Sequence, residues 1–131
     1  MIALLDANLF VPTWIIDPLL SLAEAGLREP AWSARVMDEA RLAIMEVRHV
    51  PDVRARGFLD AICRAFPMAM AEDWGRFEPD VNLSDPNDGH VVAAARRAGA
   101  ETIVTFNFKD FPADELSRYG LHAQSPDVFL T

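Results

Sequence analysis

A short, uninterrupted apolar run at the start of the chain limits the folds open to it. Ile2-Ala3-Leu4-Leu5 has no polar residue for a solvent-facing side, which is typical of a strand buried on both faces of a parallel sheet. The run stops at Asp6-Ala7-Asn8, so polar side chains stand at the carboxyl end of this strand. Open α/β sheets bind their ligands outside that edge. The opening residues therefore predict an α/β fold with a site near Asp6.

Helices and strands alternate through the remainder of the chain. Capping residues, prolines and the spacing of apolar side chains predict helices over residues 17–26, 33–49, 51–67, 85–99 and 112–119. Apolar runs predict a strand over 101–106 and brief strands over 68–70 and 121–123, while 72–84 has the mixed composition of an irregular connection. This order predicts a three-layer α/β/α fold around a small central parallel sheet, forming one domain over 1–131.

Composition excludes two classes of protein. Of the 131 residues 51% are hydrophobic, but no apolar run approaches the roughly 18 to 20 residues that cross a bilayer, so we expect no membrane span. The formal charge of −8 argues against a broadly basic surface for nucleic acid, so any such contact must be local. The lone Cys63 and the absence of a basic leader at the start predict a cytoplasmic protein.

Two carboxylates follow the two main strands. Asp6 and Asp110 both come after apolar runs whose carboxyl ends share one edge of a parallel sheet, so we expect them to converge. Asp88 turns toward the same side of its helix as Val92 and Ala95, which would point it to the sheet. The alternative is that Asp88 only stabilises the helix start, after Asp85 as the N-cap.

The helix after Ser33 offers two adjacent acids. Glu39 flanks the apolar positions Val36 and Ala43, whereas Asp38 points nearly to the opposite side, so Glu39 is the candidate site residue. Its alternative role is an exposed partner for Arg35.

Clustered carboxylates repel one another unless a cation offsets their charge. Carboxylate and amide oxygens favour Mg²⁺ or Mn²⁺, and the chain lacks the histidine and cysteine density of a zinc site. His49, His90 and His122 have no ligand-like spacing, so we expect structural or surface roles for them. Arg41 and Arg48 on one helix, and Arg54, Arg56 and Arg64 on the next, either hold phosphates beside the acids or form solvated surface. Trp74 and Phe77 either stack bases or pack in the core.

Four segments share their order and spacing with a known family: Leu4-Leu5-Asp6-Ala7-Asn8, Trp32-Ser33 followed by Asp38-Glu39, Asp85-Pro86-Asn87-Asp88-Gly89-His90-Val91-Val92-Ala93-Ala94-Ala95, and Thr105-Phe106-Asn107-Phe108-Lys109-Asp110-Phe111. Together they resemble PIN domains, and within these the bacterial VapC-like toxins. The resemblance implies a ribonuclease that holds Mg²⁺ or Mn²⁺ on acidic side chains and cuts single-stranded or looped RNA. It also implies a cognate antitoxin protein and a homodimer.

The resemblance assigns roles residue by residue. Asp6, Glu39 and Asp88 match the three principal acids, and the fourth ligand is either Asn107 or Asp110. Asn8 and Thr105 match supporting polar positions at the strand ends.

Three alternatives remain at this point. A PIN fold without activity is kept open by Asn107, where many relatives have an acid, and by Gly89, where close relatives often have arginine. A phospho-acceptor receiver domain would need a middle strand that residues 33–66 do not predict. A phosphatase with Asp6 as nucleophile would need an aspartate at position 8, which is Asn8.

Overall fold

The computed structural model of the protein describes residues 2–72, 74–76 and 88–130. Its strands are β1 (Ile2–Leu5), β2 (Glu29–Ala31), β3 (Thr102–Val104) and β4 (His122–Gln124). Its α-helices are α1 (Thr13–Glu24), α2 (Ala34–Arg48), α3 (Asp52–Ala65), α4 (Gly89–Ala98), α5 (Ala113–Ser117) and α6 (Pro126–Leu130). Short 3₁₀ helices lie at Ala7–Phe10, Trp74–Arg76 and Phe108–Asp110.

The four strands form one parallel sheet in the order β2-β1-β3-β4. Leu4 of the central strand β1 pairs with Ala31 on one side and Ile103 on the other. The predicted strand over 68–70 forms only a single parallel bridge, between Trp32 and Met70, beyond β2. The expected parallel sheet, with β1 in its interior, is confirmed.

Alternate residues of β1 enter two separate cores. Ala3 and Leu5 pack with apolar side chains of α1, α2 and α3 on one face of the sheet. Leu4 packs on the other face, in a cluster with side chains of α4 and α5. A sheet with helices on both faces is the expected three-layer α/β/α fold.

Several helix ends lie where capping residues in the sequence predicted them. Ser33 is the N-cap of α2, where its side-chain oxygen accepts a hydrogen bond from the Val36 N–H at 3.1 Å. Gly99 ends α4 in the left-handed conformation at φ 73°. Residues 33–66 hold α2 and α3 and no strand, so the receiver alternative is excluded.

Other predicted boundaries were wrong. Helix α1 begins at Thr13 rather than Asp17 and continues through Pro18, because burial of Ile15 and Ile16 in the first turn outweighs the proline signal. Strands β2 and β3 are each three residues long, so β2 was missed and β3 is shorter than 101–106. The five-residue helix α6 was also missed.

Some predictions fall on residues that the structure does not describe. The N-cap at Asp85, the aromatic Phe77 and most of the connection over 72–84 lie outside the described residues. The described part of α4 begins at Gly89, with Asp88 in the N-cap position. Over the described ranges, the longest apolar helices fall short of what a bilayer crossing requires.

Candidate active site

Asp6 leaves β1 at the carboxyl edge of the sheet, and three groups surround its carboxylate. The Ala7 N–H donates to Oδ1 at 2.8 Å, and the Thr105 hydroxyl donates to Oδ2 at 2.8 Å. The Asn8 side-chain amide lies 3.5 Å from Oδ2. The carboxylate is thereby held in one orientation at the position that the sequence predicted.

Thr105 connects the ends of the two central strands. It is fully buried directly after β3, and its N–H donates to the Gln124 carbonyl at 3.0 Å. Its hydroxyl donates to Asp6 and accepts a hydrogen bond from the Asn107 N–H at 3.0 Å. One buried hydroxyl therefore fixes both the Asp6 carboxylate and the first residues of the loop after β3.

Glu39 meets His90 across the two helical layers. Helix α2 packs on one face of the sheet and α4 on the other, yet His90 Nε2 lies 3.1 Å from Glu39 Oε1. His90 is only 1% exposed, and its ring packs against Trp74 with centroids 6.0 Å apart. His90 therefore has a place in the candidate site that the sequence spacing did not reveal, and Trp74 serves packing.

The two acids are electrostatically linked. Burial raises the pKa of Asp6 and the nearby charge of Glu39 raises it further, while the hydrogen bonds from Thr105 and Ala7 and the proximity of His90 lower it. Burial also raises the pKa of Glu39, with Arg35 opposing that shift and Asp38 adding to it. Burial therefore disfavours the ionised forms of Asp6 and Glu39.

The remaining candidate ligands have less defined surroundings. Asp88 occupies the N-cap position of α4, but its side chain makes no capping hydrogen bond there, which weakens the alternative that it serves only as a helix cap. Asp110 ends the 3₁₀ helix Phe108–Asp110, and its N–H donates to the Asn107 carbonyl at 3.2 Å. Within the described ranges no three His, Cys, Asp or Glu side chains are grouped closely enough to hold a metal ion. The complete ligand set stays a prediction.

Three of the arginines on α2 and α3 have structural partners. Arg41 pairs with Asp38 at 2.7 Å and with Asp52 at 2.5 Å, and Arg56 pairs with Asp52 at 2.5 Å. Arg48 donates to the Phe10 and Val11 carbonyls and lies 4.9 Å from the Phe58 ring centroid. Arg41 and Arg48 therefore join α2 to neighbouring segments, whereas Arg56 forms an exposed ion pair within α3. The phosphate-binding role of these arginines stays a prediction.

The sequence of the chain matches the model of a known protein family. A family model described as the PIN domain matches residues 3–109. The chain belongs to the PIN domain family.

A curated relative narrows the resemblance over part of the chain. The protein named "Putative ribonuclease VapC50" of Mycobacterium tuberculosis strain H37Rv is 56% identical over 43 residues, which make up 33% of this chain and 25% of that protein. The match therefore covers a quarter of the relative's length. No solved structure matches the chain significantly.

Proposed function

We propose that this protein is a metal-dependent endoribonuclease, the toxin of a toxin–antitoxin pair. The observation that carries the proposal is the Asp6 carboxylate, fixed by Thr105 and electrostatically linked to Glu39 at the carboxyl edge of a PIN domain sheet. Membership of the family and the partial match to the protein named "Putative ribonuclease VapC50" support it.

The donor atoms at this edge fit a hard divalent cation. Asp6 and Glu39 supply carboxylate oxygens whose pKa values are raised, so a cation there would offset unfavourable charge. Asp6, Glu39 and Asp88 would hold Mg²⁺ or Mn²⁺, with Asp110 or Asn107 completing the set and Asn8 supporting Asp6. When bound, such a cation supplies an activated water and offsets charge on the phosphoryl oxygens.

The chain's own side chains prepare the site for this chemistry. Thr105 donates a hydrogen bond to one oxygen of Asp6 and so fixes the orientation of the carboxylate. His90 lies beside one oxygen of Glu39 and restricts that side chain, although Glu39 is partly exposed. Side chains locked in this way keep ligands close to their working geometry, which is what positioning at an active site requires.

The substrate is RNA in the cytoplasm, and toxins of the VapC-like group pair with a small antitoxin and form homodimers. We propose both associations for this protein. Co-expression with the product of the adjacent reading frame, followed by copurification and measurement of the mass of the complex, tests them.

RNA cleavage by the purified protein tests the activity. Cleavage should appear with Mg²⁺ or Mn²⁺ and stop in EDTA, and Asp6→Asn should abolish it. Cleavage that persists in EDTA, or equal cleavage by Asp6→Asn, would contradict the proposal. RNA that is bound but never cut would favour the alternative of an inactive PIN binding module.

A further inference from the structure

An exposed aromatic ring stands beside the candidate site. Phe106 follows Thr105 directly and is 41% exposed, whereas Phe111 a few residues later is 3% exposed and packs in the core. Phe106 lines an open cavity of about 400 Å³ together with Asn107, Lys109 and Asp110. This volume is in the range of about 300 to 1,000 Å³ that is typical of ligand sites. The segment after β3 therefore buries Phe111 and presents Phe106 to solvent.

The backbone that carries Phe106 is fixed on both sides. Before it, Thr105 donates to Asp6, and after it, the Asn107 N–H donates back to the Thr105 hydroxyl. The Asp110 N–H then donates to the Asn107 carbonyl and closes the turn. Since consecutive Cα atoms lie about 3.8 Å apart, Phe106 is held one residue from the group that touches Asp6.

We propose that Phe106 and Lys109 form a subsite for single-stranded RNA, in which an unpaired base stacks on the Phe106 ring and Lys109 contacts a flanking phosphate. This inference rests on the proposed function, because the subsite would bind the nucleotide next to the phosphate that is cleaved beside Asp6 and Glu39. Stacking on an aromatic ring holds any base, since every base has a π-face.

The negative net charge of the chain favours RNA binding by base stacking together with a single cation. The chain has a formal charge of −8, and Arg41, Arg48 and Arg56 are engaged with side chains or carbonyls of the fold. Lys109 is exposed and makes no ion pair within the part of the chain that the structure describes. A stacking contact adds affinity that does not depend on net charge, and one cation beside it is enough to orient a phosphate.

The opposite edge of the sheet supplies matched controls. A second cavity, of about 260 Å³, lies by the amino ends of β1 and β2 and is lined by Met68 and Arg97 among others. Met68 is 94% exposed, and Arg97 is exposed at the end of α4. Met68→Ala and Arg97→Ala therefore remove an exposed apolar group and a cation far from the proposed subsite.

The test measures RNA binding in an Asp6→Asn background, which keeps the oligonucleotide intact, with Mg²⁺ present. A single-stranded RNA carrying 2-aminopurine reports affinity by anisotropy and stacking by quenching of its fluorescence. Phe106→Ala should weaken binding roughly 5- to 150-fold and relieve the quenching, while Phe106→Tyr should restore both. Lys109→Ala removes one phosphate contact, so the negative slope of log affinity against log salt concentration should become shallower by about 0.7. Met68→Ala and Arg97→Ala should match the parent.

Each outcome decides a separate point. If the parent binds RNA and Phe106→Ala binds and quenches as Met68→Ala does, the subsite is refuted while the ribonuclease proposal stands. If Phe106→Ala keeps its RNA affinity but copurifies less with the product of the adjacent reading frame, Phe106 is a contact for that protein. This result would also refute the subsite. If the parent neither binds RNA nor, with Asp6 restored, cleaves it, the proposed function fails and the subsite fails with it.

Discussion

Replacing Thr105 with valine should destabilise the protein through the charge on Asp6. Valine keeps the shape of threonine but has no hydroxyl, and Thr105 is fully buried. The change removes the donor that lies 2.8 Å from Asp6 Oδ2 and the acceptor of the Asn107 N–H. The half-buried Asp6 carboxylate then loses a donor, and the N–H of the exposed Asn107 loses its acceptor.

The expected cost follows from these two hydrogen bonds. A hydrogen bond to a charged group contributes about 1.5 to 3 kcal/mol, and a neutral one about 0.5 to 1.5 kcal/mol. Thr105→Val should therefore lower the free energy of unfolding by about 2 to 4.5 kcal/mol at neutral pH. The matched control is Thr102→Val, an equally buried threonine on β3 whose hydroxyl donates to the His122 carbonyl at 3.1 Å. Its cost should be about 0.5 to 1.5 kcal/mol, because that partner is neutral.

The pH dependence separates the two variants. The Thr105 hydroxyl lowers the pKa of Asp6, although burial raises that pKa above its ordinary value of 3.8 overall. Without the hydroxyl the pKa of Asp6 rises further. The cost of Thr105→Val is therefore largest at a pH above the Asp6 pKa of the unmutated protein and of the variant, both in the folded state. It shrinks as the pH falls through them and Asp6 becomes protonated. The cost of Thr102→Val should stay constant over the same range.

Urea denaturation in EDTA, repeated from neutral pH down toward pH 4, measures both costs from the transition midpoints. Equal costs for the two variants at neutral pH would refute the assignment of a charged acceptor at Asp6. A cost of Thr105→Val that does not change with pH would refute it as well.

Two further predictions concern the acids and the histidine. Asp6→Asn should raise the free energy of unfolding in EDTA at neutral pH, since the pKa of Asp6 is raised, and the gain should vanish once the pH falls below about 3.8. Denaturation with and without Mn²⁺ checks this: the ion should reverse the order by stabilising the unmutated protein, by about 2.7 kcal/mol at a hundredfold excess over Kd, and a less stable variant in EDTA would contradict it. His90→Leu should weaken Mn²⁺ binding about 10- to 100-fold by calorimetry, because Glu39 loses its partner at 3.1 Å, whereas His90→Gln should keep most of the affinity. Equal Mn²⁺ affinity in His90→Leu and the unmutated protein would show that His90 does not position Glu39.

Features with a local signal were predictable from the sequence. The apolar run of β1, the Ser33 N-cap and the Gly99 helix end each depend on a few neighbouring residues, and the structure has all three. Strand β2 carries no such signal, because it has three residues and one of them is Pro30. Its pairing with β1 comes from the sheet and not from its own sequence.

The candidate site likewise has features that the sequence predicted and features that it did not. The sequence predicted that Asp6 lies at the carboxyl edge of the sheet, and the family resemblance assigned Thr105 to a strand end, but the hydrogen bond between these two side chains was not predicted. The contact between Glu39 and His90 depends on how α2 and α4 pack around that edge, and no spacing in the chain encodes it. Arg41 likewise finds Asp52 only because α3 folds back against α2.

Of the two adjacent acids on α2, we propose that Glu39, and not Asp38, belongs to the metal site. Glu39 lies beside buried His90, whereas Asp38 is exposed and pairs with Arg41 on the surface of α2. The direct test compares Glu39→Gln with Asp38→Asn in Mn²⁺ titration and RNA cleavage, side by side. Glu39→Gln should weaken Mn²⁺ binding by at least about tenfold and reduce cleavage, while Asp38→Asn should match the unmutated protein in both. Loss of Mn²⁺ binding in Asp38→Asn with normal binding in Glu39→Gln would contradict this site.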